Sequence, residues 1–229
     1  MKLIQIPFSH NCVKVRVALS FKGLKYETQD IAPMDRASVV AASGQGLVPV
    51  LVDHGQAIAD STAILLYLEE RHPHPPLLPQ EASARAECLI LEDWADQAFM
   101  ALSRRVAYRN VLSRPGKLSS MFFPGDPAPA RWIKERIARR VVARRFGLTP
   151  AGRVRDVAEA KRLAGLAMAR LGGRRWLQGE SPTIADVALA TMSAPLAADR
   201  EAREDGAVRA LLAWGQALVP EDALAIYRG

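Results

Sequence analysis

Two cysteines, Cys12 and Cys88, are all that occur in 229 residues. That is too few for a disulfide framework, and a reducing compartment is the expected setting. No apolar run approaches the roughly 20 residues that a membrane-spanning helix needs. The N-terminus opens directly into a strand pattern, with no signal-like apolar region. A cytoplasmic protein without a membrane partner is expected. No internal repeat is found, and no metal site is expected.

What is present is an apolar-rich chain, 49% hydrophobic, with a net charge of +7. Its length suits one large domain or two small ones with real cores. The charge is unevenly spread. Residues 1–80 carry 7 basic and 7 acidic side chains, whereas residues 81–229 carry 24 and 17. Within 131–155, "RWIKERIARRVVARRFGLTPAGRVR", nine basic residues meet one acid, Glu135, and this segment accounts for the whole surplus.

The composition breaks at "RHPHPPLLPQ", residues 71–80, where four prolines forbid a continuous helix and favour an extended connection. Before it the periodicity predicts a strand over 2–6, a helix over 12–22 closed by Gly23, a strand over 25–29 and a short helix near 35–42. Two strands in "VPVLVDHGQAIAD", turning at His54-Gly55, then lead into a helix at "STAILLYLEERH". Beyond the break, helical spacing runs through 82–112, 131–146, 154–172, 184–197 and 206–218. The stretch "SRPGKLSSMFFPGDPAPA" reads as a long loop. The expected architecture is an α/β domain over 1–76, ordered βαβαββα, and an all-helical domain over 82–229.

The residue of most interest is Ser9, in "SHNCVKVR", where the first strand hands over to a helix N-terminus. Backbone N–H groups point outward there, and a negative charge is favoured. Read alone, Ser9 is a helix cap. Together with "LVPVL", "ADSTAILLYLEE" and "LQGESPTIADVALA", in this order, the chain resembles a cytosolic glutathione transferase of the serine type, theta-, tau- or zeta-like, with a thioredoxin-like N-terminal domain. The resemblance spans nearly the whole chain and is weakest over 111–155.

That resemblance implies glutathione as co-substrate. The Ser9 hydroxyl would donate a hydrogen bond to its sulfur and favour the thiolate, with Asn11 near enough to add its amide. Val48 and a cis Pro49 would present backbone groups to the cysteinyl residue, with Leu47 beside them near the glycyl end. Many relatives hold a polar residue in the Leu47 slot, and Arg36 is the candidate replacement. Asp60 and Ser61 would meet the γ-glutamyl group, although the same two residues suit a helix cap. Thr183 and Asp186 form a capping box, a folding element.

Cys12 offers a different answer. Ser9-x-x-Cys12 keeps the spacing of a thiol–disulfide motif with its first thiol replaced, so Cys12 is either a reactive thiol or a small buried helix residue. His10 is expected at the rim of the site. A hydrophobic electrophile is expected above Ser9, against Met100, Arg104, Arg105 and Tyr108, roofed by the "MFF" run at 121–123. A cleft-facing Arg104 or Arg105 would favour an anionic or carbonyl-bearing substrate.

In 131–146, Ile133, Ile137 and Val141 form one stripe and Arg136, Arg140 and Arg144 another. A solvated cationic face is the first reading and an acidic partner the second. Nucleic acid is not favoured, because Trp132 alone accompanies the arginines as a stacking aromatic. Three functions follow: a glutathione transferase acting in detoxification as a homodimer, a non-enzymatic relative resembling the stringent-starvation proteins, or a Cys12-dependent thiol reductase.

Overall fold

The computed structural model describes residues 1–220. Four strands form one mixed sheet: β1 (Lys2–Gln5), β2 (Glu27–Asp30), β3 (Val50–Asp53) and β4 (Gln56–Ala59), in the order β2-β1-β3-β4. β1 pairs parallel with β2 and antiparallel with β3, which continues antiparallel into β4.

Side chains alternate across a strand, so neighbouring residues serve different cores. Leu3 and Leu51 join the large core with α1 (His10–Phe21) and α3 (Ser61–Arg71), which continues into the helical domain through Phe99, Leu163 and Leu189. Ile4 and Val50 face the other way, with Ile6, Ile31 and Val39 of α2 (Ala37–Ser43).

The helical domain comprises α4 (Ala82–Ser113), α5 (Lys117–Phe122), α6 (Ala128–Arg145), α7 (Pro150–Leu171), α8 (Ile184–Ser193), a 3₁₀ turn (Ala194–Ala198), α9 (Arg200–Glu204) and α10 (Gly206–Gly215). Every residue of α8 is buried, as befits a helix that is apolar almost all round. Its one acid is satisfied: the Asp186 carboxylate accepts N–H bonds from Leu177 (2.7 Å) and Thr183 (2.8 Å) and the Thr183 hydroxyl (2.7 Å).

The proline-rich connection is pinned. Lys22 Nζ donates to the Glu69 carboxylate (2.7 Å) and to the carbonyls of His72 and Pro75, while Glu69 accepts from the Leu77 and Leu78 amides.

Several expected boundaries shift for identifiable reasons. α1 begins at His10, two residues earlier than its apolar periodicity, because the polar His10 and Asn11 precede its first apolar residue. The expected loop after α4 contains α5, whose six residues are too few to show a period. The helix expected over 184–197 ends at Ser193 and tightens into the 3₁₀ turn at Pro195, which has no N–H to continue the ladder.

Candidate functional site

A cavity of about 790 Å³ opens between the two domains. From the N-terminal domain it is lined by Ser9, His10 and Asn11 of the β1–α1 junction, by Leu47, Val48 and Pro49 before β3, and by Asp60 and Ser61 at the start of α3. Met100, Arg104 and Tyr108 of α4 line the opposite wall, with Met121 and Phe146 beyond them. Residues spread over the chain thus converge on one space.

Ser9 occupies the N-cap position of α1 with extended backbone, yet its side chain makes no capping bond. Its carbonyl starts the helix by accepting the Val13 amide at 2.9 Å. Asp60 behaves differently. It caps α3, its Oδ1 accepting from the Thr62 (2.9 Å) and Ala63 (3.0 Å) amides. Its φ of +80° is a strained conformation for a residue with a Cβ, of the kind that persists where the surrounding structure enforces it. Ser61 is buried beside it, and the Val48–Pro49 peptide is cis.

His10 does not sit at the rim. It is 8% exposed, and its Nε2 is buried without a hydrogen-bond partner among the described residues. Burial, helped by the positive charges of Arg104 and Lys14, pushes its pKa down from 6.5 to about 3, so the imidazole is neutral. Asn11 Oδ1 and Arg36 Nη1 are likewise buried at the cavity wall, without partners among the described residues.

Cys12 is fully buried and does not line the cavity. Burial raises its thiol from 9.0 to about 11, outweighing the lowering effects of the Ile6 backbone, Ser9, Arg16 and Arg36. A thiol so placed has almost no thiolate at neutral pH and no access to a substrate.

Arg105 also departs from expectation. It points away from the cleft, its guanidinium clasping Asp156 of α7 at 2.7 and 2.9 Å, and Arg109 reaches the same carboxylate at 2.5 Å. Helical spacing places Arg104 and Arg105 100° apart, and only Arg104 faces the cavity.

Phe146, not singled out in the sequence, stacks on Tyr108 with centroids 4.6 Å apart and planes at 21°. Of the "MFF" run, Met121 reaches the cavity, while Phe122 packs on Tyr108 from behind. Gln45 is another omission: it lines the cavity and exchanges hydrogen bonds with both the N–H and the carbonyl of Leu47. Phe146 follows a run of arginines, and nothing in that pattern marks it as a lining residue.

Behind the site lies a buried charged network. Lys14 Nζ donates to Glu92, to Asp96 Oδ2 (2.7 Å) and to Thr62 Oγ1 (3.1 Å), and Thr62 in turn donates to Glu92 (2.7 Å). It ties α1, α3 and α4 together next to Ser61.

Residues 3–76 match the family model described as Glutathione S-transferase, N-terminal domain. Over these residues the chain is similar to the N-terminal domain of glutathione S-transferases. The curated relatives include a Stringent starvation protein A homolog from Pasteurella multocida (36% identical over 89 residues, 36% of this chain and 42% of that protein). Glutathione S-transferase Z1 from Arabidopsis thaliana is 42% identical over 77 residues, 32% of this chain and 35% of that one. The chain spans less than half the length of these curated relatives. Over the whole chain, a glutathione S-transferase from Methylobacterium radiotolerans, solved with glutathione sulfonate, superposes with a TM-score of 0.62 at 25% identity, covering 99% of this chain and 93% of that one. The thioredoxin-like domain followed by a helical domain is the glutathione S-transferase fold.

On the outer side of this fold, α6 leaves Trp132, Ile133, Ile137 and Val141 between 55% and 65% exposed. Arg136, Arg140 and Arg144 are exposed with them and make no ion pair among the described residues. No helix of the described residues is long and apolar enough to cross a membrane.

Proposed function

We propose that the chain is a glutathione transferase in which Ser9 activates the thiol of glutathione for attack on a hydrophobic electrophile. The observation that carries this reading is the position of Ser9. It stands at a helix N-cap without capping, and it lines a cavity shared with Val48, cis Pro49 and Ser61.

In this reading the γ-glutamyl carboxylate meets the Ser61 hydroxyl and the N-terminus of α3, where the helix dipole favours an anion. Asp60 stands near the ammonium of the same group. The cysteinyl backbone pairs with Val48 in the manner of an added strand. The glycyl carboxylate lies towards Leu47 and Arg36. Ser9 donates its hydroxyl hydrogen to the sulfur, Asn11 adds its amide, and the N-terminus of α1 contributes its partial positive charge, so the thiolate is favoured over the thiol. The sulfur then bonds to the electrophilic carbon as the leaving group departs with its electron pair. Met100, Tyr108, Met121 and Phe146 supply an apolar seat for that electrophile. His10, neutral and unpartnered, faces the same space. A cytoplasmic homodimer working in detoxification, with no resident metal, accompanies this reading.

Calorimetric titration of purified protein with glutathione, repeated on Ser9→Ala and paired with conjugation to chlorodinitrobenzene, tests it. Binding with turnover that falls in Ser9→Ala supports the reading, and no binding at millimolar glutathione overturns it. In that event the exposed apolar and cationic face of α6 favours a second reading, a non-enzymatic binding protein with an acidic partner. The burial of Cys12 tells against a thiol reductase.

A further inference from the structure

We infer that Arg104 is the receptor for an anionic group on the electrophile, so that the preferred second substrate is a planar apolar molecule carrying a carboxylate or a similar anion. This rests on the transferase reading above and deepens it.

Arg104 projects from α4 into a wall otherwise formed by Met100, Ala107, Tyr108, Val111 and Phe146. A guanidinium among apolar groups is costly unless it is paired. Its neighbours Arg105 and Arg109 both have a carboxylate, Asp156. Arg104 makes no ion pair and no hydrogen bond among the described residues, although it is partly buried.

Among the described residues nothing else in the cavity neutralises it. Asp60 is the one acid among the described lining residues, and its Oδ1 is engaged by the amides of Thr62 and Ala63. His10 is uncharged, and Arg36 has the same sign as Arg104.

Glutathione does not absorb this charge in the proposed arrangement. Its γ-glutamyl carboxylate is directed to Ser61 and its glycyl carboxylate towards Arg36, both on the N-terminal domain. Arg104 stands on the opposite wall, where the electrophile sits. The stacked rings of Tyr108 and Phe146 stand in that same wall. A flat, conjugated anion satisfies both features: its face lies against the apolar wall and its charge meets the guanidinium. Arg suits a carboxylate in particular, because its fork of N–H groups matches two oxygens.

The test compares two acceptors with the same chemistry. With chloronitrobenzoate and with chlorodinitrobenzene alike, the sulfur bonds to the ring carbon bearing chlorine and chloride leaves with its electron pair. The inference predicts that the ratio of kcat/KM for the anionic over the neutral acceptor falls about 10- to 100-fold in Arg104→Gln. In Arg104→Lys, which keeps the charge and loses the fork, the ratio falls less. Arg36→Gln raises the KM for glutathione and preserves the ratio. An unchanged ratio in Arg104→Gln overturns the inference, whether both activities fall together, as a role at the thiolate requires, or neither does. Should the unmodified protein turn over neither acceptor, the transferase reading fails separately, and calorimetry with nitrobenzoate decides the role of Arg104. Binding that is lost in Arg104→Gln upholds it, and absence of binding contradicts it.

Discussion

The ammonium of Lys14 lies 2.7 Å from the carboxylate of Asp96, with Glu92 on its other side, and the Lys14 side chain has no solvent exposure. A lysine can be fully buried in this way because two carboxylates and the Thr62 hydroxyl replace its water. Since Lys14 belongs to α1, Thr62 to α3 and Asp96 to α4, one charge ties the two domains together.

Lys14→Met leaves Glu92 and Asp96 buried without their counter-ion. The expected loss is about 3–5 kcal/mol of unfolding free energy, the usual cost of breaking one side of a buried pair. Urea denaturation measures it, and a loss within experimental error would show that the network is solvated in solution.

Ser9 and Cys12 are three residues apart and differ in environment, so their substitutions separate. Ser9→Ala is expected to lower kcat/KM for conjugation by about 10²-fold, the scale of losing one donor to a developing or stabilised anion. Cys12→Ala removes a buried sulfur at a stability cost of about 1 kcal/mol and retains turnover. Loss of activity with the cysteine change alone would reverse the assignment.

His10 gives a pH signature. The native protein keeps the imidazole neutral down to about 3, whereas the unfolded chain takes up a proton below 6.5. The unfolded state therefore binds more protons in that interval, and stability declines as pH falls from about 6.5 towards 3. His10→Gln should flatten this part of the stability curve. In proton NMR the His10 ring resonances should not titrate between pH 5 and 8, and a midpoint near 6.5 would contradict its burial.

Asp156 shifts stability in the same direction, over a lower pH range. Burial pushes its carboxyl up, but hydrogen bonds from Arg105 and Arg109, with their charges, hold it below its ordinary 3.8. Its contribution is complete above that value and disappears as pH falls through the lowered folded value. Asp156→Asn should cost about 1–3 kcal/mol at neutral pH, because two guanidiniums lose their counter-charge and one of the two acceptor oxygens becomes an NH2 donor, measurable by thermal denaturation.

The proline cluster after Arg71 and the change from alternating to helical periodicity made the architecture legible, because both follow from local backbone rules. The convergence of Ser9, Val48, Pro49 and Ser61 on one cavity was legible too, since each lies at an element boundary where short motifs concentrate. The helical-domain wall was less so. Arg104 and Arg105 are adjacent and chemically identical, and only the placement of Asp156 on α7 determines which of them turns to the cavity. His10 looked exposed because it is polar and follows a loop, whereas tertiary packing buries it. Phe146 enters the site through the return of the chain after α6, a long-range event that no local pattern records.

The most direct test of the account is the ultraviolet thiolate absorbance of glutathione bound to the protein, followed against pH. If Ser9 favours the thiolate, the bound thiol has a midpoint well below that of free glutathione and moves back towards the free value in Ser9→Ala. An unshifted midpoint in the unmodified protein, or the same midpoint in both proteins, would contradict it.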